Sequence, residues 1–210
     1  GDDALRVAAN RQSLNSFLPT EPLWLKQVHG VIVVNAAHAN CLPQADAAYA
    51  KIPNTVCTVL TADCLPVLLC DVAGSVVGAA HAGWRGLAAG VIEATVSAMQ
   101  GPPEQIMAWL GPAIGPQAFE VGDDVRTVFV AHDTNASAAF TLSPSCSQGE
   151  RGEYLADIYL LARQRLQALG ITQIYGGGYC TYSERGRFFS YRRDGDTGRM
   201  ASMIWLSTSA

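Results

Sequence analysis

The fold of this chain is constrained most by a series of short apolar or β-branched runs at 31–36, 56–61, 66–70, 76–80 and 106–110, each bounded by Gly, Pro, Asn or Asp. Runs of that length read as buried strands, because branched side chains fit a pleated surface and the flanking residues interrupt it. Two longer segments have the other period. Residues 87–100 carry Leu87, Val91, Ile92 and Val96 at helical spacing and stop at Gly101-Pro102-Pro103. Residues 153–169 place Leu155, Ile158, Ala162, Leu166 and Leu169 on one stripe, with Glu153 at the start and Gly170 after the end. Strand character returns at 171–175, 188–191 and 200–206. Strands and helices are interspersed, so the expected class is α/β or α+β, a mixed β-sheet core with flanking helices.

The 210 residues suit one domain, 1–210, and no internal repeat divides them. The polar loop 142–152 is where mobility is expected, but it is too short to link two domains. With 49% hydrophobic and 15% charged residues the chain can fill a core, which excludes a disordered protein. Its longest apolar stretches, such as 57–60 and 76–80, fall short of the ~20 residues of a membrane span. The opening Gly1-Asp2-Asp3 has neither the basic start nor the apolar run of a secretory signal, and its lack of an initiator Met points to a truncated or processed start.

A net charge of −4, with only Lys26 and Lys51 beside the arginines, does not suit nucleic acid as a partner. Arg185, Arg187, Arg192, Arg193 and Arg199 cluster late, either to hold one small anion or as a solvated face. Six scattered cysteines without a secretion signal read as reduced thiols in a cytoplasmic protein. Cys57 and Cys70 sit in apolar runs as small hydrophobes, while Cys41, Cys146 and Cys180 show no motif.

Chemistry concentrates on three residues. His81 follows the apolar run 76–80 and precedes Gly83-Trp84-Arg85-Gly86, where a strand opens into a glycine-rich turn. Cys64 lies between two apolar runs, at a break that Pro66 is expected to enforce. His29 immediately precedes the run 31–36. Two imidazoles and a thiolate suit zinc, with a fourth position left for water or substrate. A metal-free alternative makes Cys64 a nucleophile and His81 its base. Separations of 35 and 17 residues match no compact ligand motif, so spacing alone does not choose between these and a structural role. His38 and His132, in Ala/Asn/Asp-rich surroundings, read as exposed and without a role. Gly83–Gly86 offers backbone N–H groups and the Arg85 guanidinium to an anion. Gly111-Pro112-Ala113-Ile114-Gly115-Pro116 is no P-loop, since no Gly-Lys-Ser/Thr follows.

The blocks KQVHG at 26–30, TADCLPVLL at 61–69, AAHAGWRGLAAGV at 79–91, GPAIGPQAFEVG at 111–122 and FFSYRRDGDTGRMAS at 188–202 run almost end to end. Through them the chain resembles the YfiH-like family, also called the laccase-domain or multicopper polyphenol oxidoreductase family. The resemblance implies a compact fold related to toxin-type cysteine hydrolases, with zinc on His29, Cys64 and His81. It also implies that a family N-terminal segment is missing here. The implied activity is phosphorolysis of adenosine, inosine, guanosine or methylthioadenosine, with adenosine deamination at the same site. Purine nucleoside and phosphate are then the small-molecule partners. In such a site Cys64, His81, Asp63 and Glu120 are the candidate catalytic groups, Asp63 and Glu120 for acid–base work, and Arg85 and Arg192 the substrate contacts. The alternatives are copper-dependent oxidation of phenols, amide hydrolysis in peptidoglycan-precursor editing, and a non-catalytic metal-binding module. Copper suits a His₂Cys set as well, although four histidines are few for an ordinary multicopper centre.

Overall fold

The structure, a computed structural model, describes residues 3–144 and 153–208. Along the chain it runs α1 (Ala4–Leu14), β1 (Val33–Asn35), β2 (Ala47–Ala50), β3 (Cys57–Thr61), β4 (Leu65–Asp71) and β5 (Val77–Ala82). Then come α2 (Trp84–Ala89), α3 (Val91–Met99), β6 (Ile106–Leu110), β7 (Glu120–Gly122), α4 (Asp123–His132), β8 (Phe140–Leu142) and β9 (Glu153–Ala156). The chain closes with α5 (Ile158–Ala168), β10 (Gln173–Gly176), α6 (Tyr191–Asp194) and β11 (Met200–Ile204). A mixed six-stranded sheet in the order β1-β2-β5-β4-β6-β10 is the centre; β11-β3 and β7-β9-β8 form two small antiparallel sheets.

The period-2 alternation of the strands builds three layers. From β4, Leu65, Val67 and Leu69 point to the face covered by helices and join Leu87, Ile92, Ile158 and Leu166 in the larger core. Leu68 and Cys70 point the other way, toward Cys57, Val59 and Ile204 of the β3/β11 ribbon. The class is therefore mixed α/β, as the patterning implied.

Four local expectations are corrected. The segment 87–100 is two helices, because Gly90 adopts φ 98° between them and α2 already begins at Trp84. Residues 153–156 are not helical: β9 pairs with both β7 and β8, and the helix starts only after Asp157, whose carboxylate accepts from the Leu160 N–H at 3.0 Å. Residues 188–190 form no strand; the buried Ser190 instead caps α6 by accepting from the Arg193 N–H. Pro66 lies inside β4, near its start where a missing N–H is tolerated, and pairs with His81. The break before β4 belongs to Asp63, a non-glycine residue at φ 87°.

Helix α1 has no buried residue, and Arg11 on it lies 4.2 Å above the Trp24 ring. None of the helices is long and apolar enough to cross a membrane among the described residues. Cys41, Cys57, Cys64, Cys70 and Cys180 are free thiols; burial pushes Cys57 up to about 12, as expected of a hydrophobic core position. Cys146 and most of the loop 142–152 lie outside the described residues.

Candidate metal centre and its pocket

Strand direction gathers the chemistry at one end of the central sheet. β1 and β2 are parallel and β5 is antiparallel to β2, so the starts of β1 and β2 meet the end of β5. β4 is antiparallel to β5, and Leu65↔Ala82 and Pro66↔His81 bring the start of β4, just after Cys64, alongside the end of β5 that carries His81. His29, in the turn ahead of β1, comes to the same edge. The Cys64 Sγ is 3.8 Å from His29 Nε2, and the His29 and His81 rings sit edge to face at 4.8 Å between centroids. One ligand atom from each of the three residues lies within 4.8 Å of the others, so this cluster could hold a metal ion.

Asp46, immediately before β2 and wholly buried, organises the cluster. Its carboxylate accepts from the backbone N–H groups of Val28, His29 and Gly30, the last at 2.7 Å. It also meets His81 Nδ1 at 2.9 Å. A carboxylate has no proton to give, so Nδ1 of His81 donates and Nε2 is left for the cluster. Burial works against ionising Asp46, but the His81 contact and those backbone N–H groups outweigh it and lower its pKa.

The same competition sets the other two groups. Burial disfavours the Cys64 thiolate, yet the imidazoles of His29 and His81 prevail and bring it down to about 6. Burial disfavours a charged His81, yet Asp46 and Cys64 raise it to about 9. The site thus favours thiolate and imidazolium, and a metal bound there would replace the imidazolium proton. The donor set fits such an ion: a thiolate, two imidazoles, and a carboxylate that fixes one imidazole from behind. Gly83 supports the same conclusion, since a Cβ there would lie 2.8 Å from His29 Cδ2 and 3.0 Å from Cys64 Sγ. Only glycine leaves the ligands where they are. His29 itself is held at φ 60°, and with Asp63 it puts two strained non-glycine residues in one site.

The cluster opens into a pocket of about 630 Å³ with an apolar wall that includes Leu25, Ile114, Phe119 and Ile158, while Arg85 and Arg192 lie at its exposed rim. Asp63 also lines it, but both carboxylate oxygens are engaged: Oδ1 accepts from Thr181 at 2.6 Å and Oδ2 from the Arg192 N–H at 2.7 Å. These bonds tie the turn carrying Cys64 to the C-terminal segment. Glu120 stands outside the pocket lining; its carboxylate accepts from Ser143 at 2.6 Å and its carbonyl from Arg192 Nη2 at 3.0 Å. The other two histidines are exposed and outside the cluster, with His132 Nε2 2.9 Å from Arg165 Nη1.

Asp46 escapes sequence reading, and Gly83, read there for its backbone N–H, matters instead for the side chain it lacks. For Asp46 one signal existed: a single acid inside Ala45-Asp46-Ala47-Ala48, which if buried must be partnered.

Residues 1–207 match the family model described as Multi-copper polyphenol oxidoreductase laccase. A protein of Escherichia coli (strain K12) named purine nucleoside phosphorylase YfiH is 56% identical over 209 residues, covering 98% of this chain and 83% of that protein. A Pseudomonas aeruginosa protein also named purine nucleoside phosphorylase is 53% identical over 205 residues, covering 98% and 82%. The crystal structure of a Neisseria meningitidis protein superimposes with a TM-score of 0.91 at 50% identity, covering 99% of this chain and 84% of that one. The chain therefore belongs to the multi-copper polyphenol oxidoreductase laccase family, whose members include the YfiH proteins.

Proposed function

We propose that this protein is a zinc-dependent purine nucleoside phosphorylase that takes adenosine, inosine, guanosine and methylthioadenosine, and that deaminates adenosine at the same site. The observation that carries this reading is a two-imidazole, one-thiolate cluster lining a pocket together with exposed guanidinium groups. The names of the relatives support it. About 630 Å³ is within the range of small-molecule sites, and the wall of Leu25, Ile114, Phe119 and Ile158 suits the flat apolar faces of a purine.

His29, Cys64 and His81 would hold the zinc, which when bound supplies Lewis acidity and lowers the pKa of a water molecule. Asp46 keeps the His81 Nδ1 protonated and its ring fixed. Arg85 and Arg192 bind and orient phosphate. Asp63 acts by position, holding the Cys64 turn to the segment that delivers Arg192, because both its oxygens already accept hydrogen bonds. Phenol oxidation is the weaker reading: only two of the four imidazoles stand at the cluster, so such activity is expected on copper loading alone.

Arg85 lies over the Trp84 ring at 4.4 Å, which positions its guanidinium at the rim. Arg85→Ala should raise the KM for phosphate about tenfold, the worth of one charge-assisted hydrogen bond, while leaving water-dependent deamination nearly intact. Steady-state kinetics of both reactions on adenosine check this. Equal losses in the two would assign Arg85 to packing.

A further inference from the structure

A third guanidinium, that of Arg199, lines the pocket with Arg85 and Arg192. Strand register puts it there. β11 pairs with β3 through Met200↔Thr61, so Arg199 lies just past the last pair, facing the turn that leads through Ala62 and Asp63 to Cys64. Its Nη1 donates to the carbonyls of Thr197 (2.6 Å) and Gly198 (3.0 Å), which fold the side chain onto its own loop and reduce the freedom it would lose on binding.

Among the described residues its charge has no carboxylate partner. Arg165, Arg187 and Arg193 each pair with a carboxylate at 2.8 Å or less, Glu93, Glu184 and Asp194 respectively. Among the described residues, Arg85, Arg192 and Arg199 have no carboxylate within ion-pair distance. Asp63 is the acid lining the pocket, and its oxygens are taken by Thr181 and the Arg192 backbone. In a chain of net charge −4, one pocket thus gathers three guanidinium groups beside a single lining carboxylate, Asp63, which forms an ion pair with none of them among the described residues. Guanidinium forks match the oxygens of a tetrahedral oxyanion, and three of them suit a dianion better than a single negative charge.

We infer that Arg199 is a substrate-binding residue, the third arm of a cradle for hydrogen phosphate dianion formed with Arg85 and Arg192. The identity of that anion as co-substrate rests on the phosphorolysis proposed above; the binding site for it does not. The cradle draws on three separate segments, α2, α6 and the loop before β11, so it is complete only when the C-terminal segment is seated over the sheet end.

The test is a calorimetric titration of the zinc-loaded protein with inorganic phosphate, for the wild type, Arg199→Ala and Arg199→Lys, alongside phosphorolysis kinetics. Arg199→Ala should weaken phosphate binding about tenfold and raise the phosphate KM equally, with the nucleoside KM and the thermal midpoint nearly unchanged. Arg199→Lys, which keeps the charge and loses the fork, should recover part of the affinity. Unchanged phosphate affinity in Arg199→Ala overturns the inference, as does a wild type that binds no phosphate. A wild type that binds phosphate through Arg199 yet leaves nucleosides intact supports the cradle and overturns the phosphorylase reading instead.

Discussion

Asp46→Ala should lose about 3–5 kcal/mol of stability together with the metal, because it strips a fully buried carboxylate from a charged partner and from a set of backbone donors. The N–H groups of Val28, His29 and Gly30 would be left without their acceptor, and His81 without the group that fixes its tautomer. Against a total stability of about 5–15 kcal/mol, a loss of that size brings the chain close to its unfolding threshold. Asp46→Asn separates the two effects. The amide keeps one acceptor oxygen and the shape of the side chain, so the fold should survive, while metal affinity falls about 10–100-fold as the His81 ring loses its anionic support. Thermal unfolding and a competitive zinc titration measure the pair. An Asn variant with wild-type affinity would show that Asp46 serves the turn alone.

Much of this site was legible from residues with distinctive surroundings. His81 beyond an apolar run, Cys64 at a break and His29 ahead of a run all lie at strand ends, and the sheet brings those ends together. The antiparallel order β2-β5-β4 was not legible, since hydrophobic period gives strands but not their neighbours. Tertiary context also overrode local pattern. Residues 153–156 carry a helical stripe yet pair on both sides as β9, and Gly90 divides a continuous helical pattern by taking a left-handed conformation. Helix α4 went unread because only Val125 and Phe129 are buried along it, leaving little periodicity to detect. Asp46 was silent for another reason: its partners are backbone groups 16 to 18 residues away and a histidine 35 residues away.

Gly83→Ala should preserve the fold and impair the site. Gly83 has φ −63° and ψ 155°, a conformation that alanine adopts freely, so the backbone gains no strain. The added methyl is what matters, since it would press on His29 Cδ2 and Cys64 Sγ at 2.8 and 3.0 Å. One of the two ligands must move by several tenths of an ångström. A misplacement of about 1 Å can cost on the order of 10²-fold, so a shift of several tenths should lower turnover about tenfold, and zinc affinity should fall alongside. The thermal midpoint of the metal-free variant should stay near that of the metal-free wild type. Zinc content after dialysis and kcat on inosine give the answer. Full occupancy and full activity would mean that His29 yields without consequence, and that the glycine is there for the entry of α2.

The most direct measurement combines metal analysis with turnover on protein purified without copper. About one zinc per chain is expected, with phosphate-dependent release of free base from adenosine or inosine. Both should be lost in Cys64→Ala, while the fold is kept and phenol oxidation appears only after copper is added to the wild type. The contrary result is copper-free protein that leaves every purine nucleoside intact while cleaving an aminoacyl-sugar amide, with Cys64→Ala retaining its zinc; His29, Cys64 and His81 would then be the nucleophile and bases of a hydrolase.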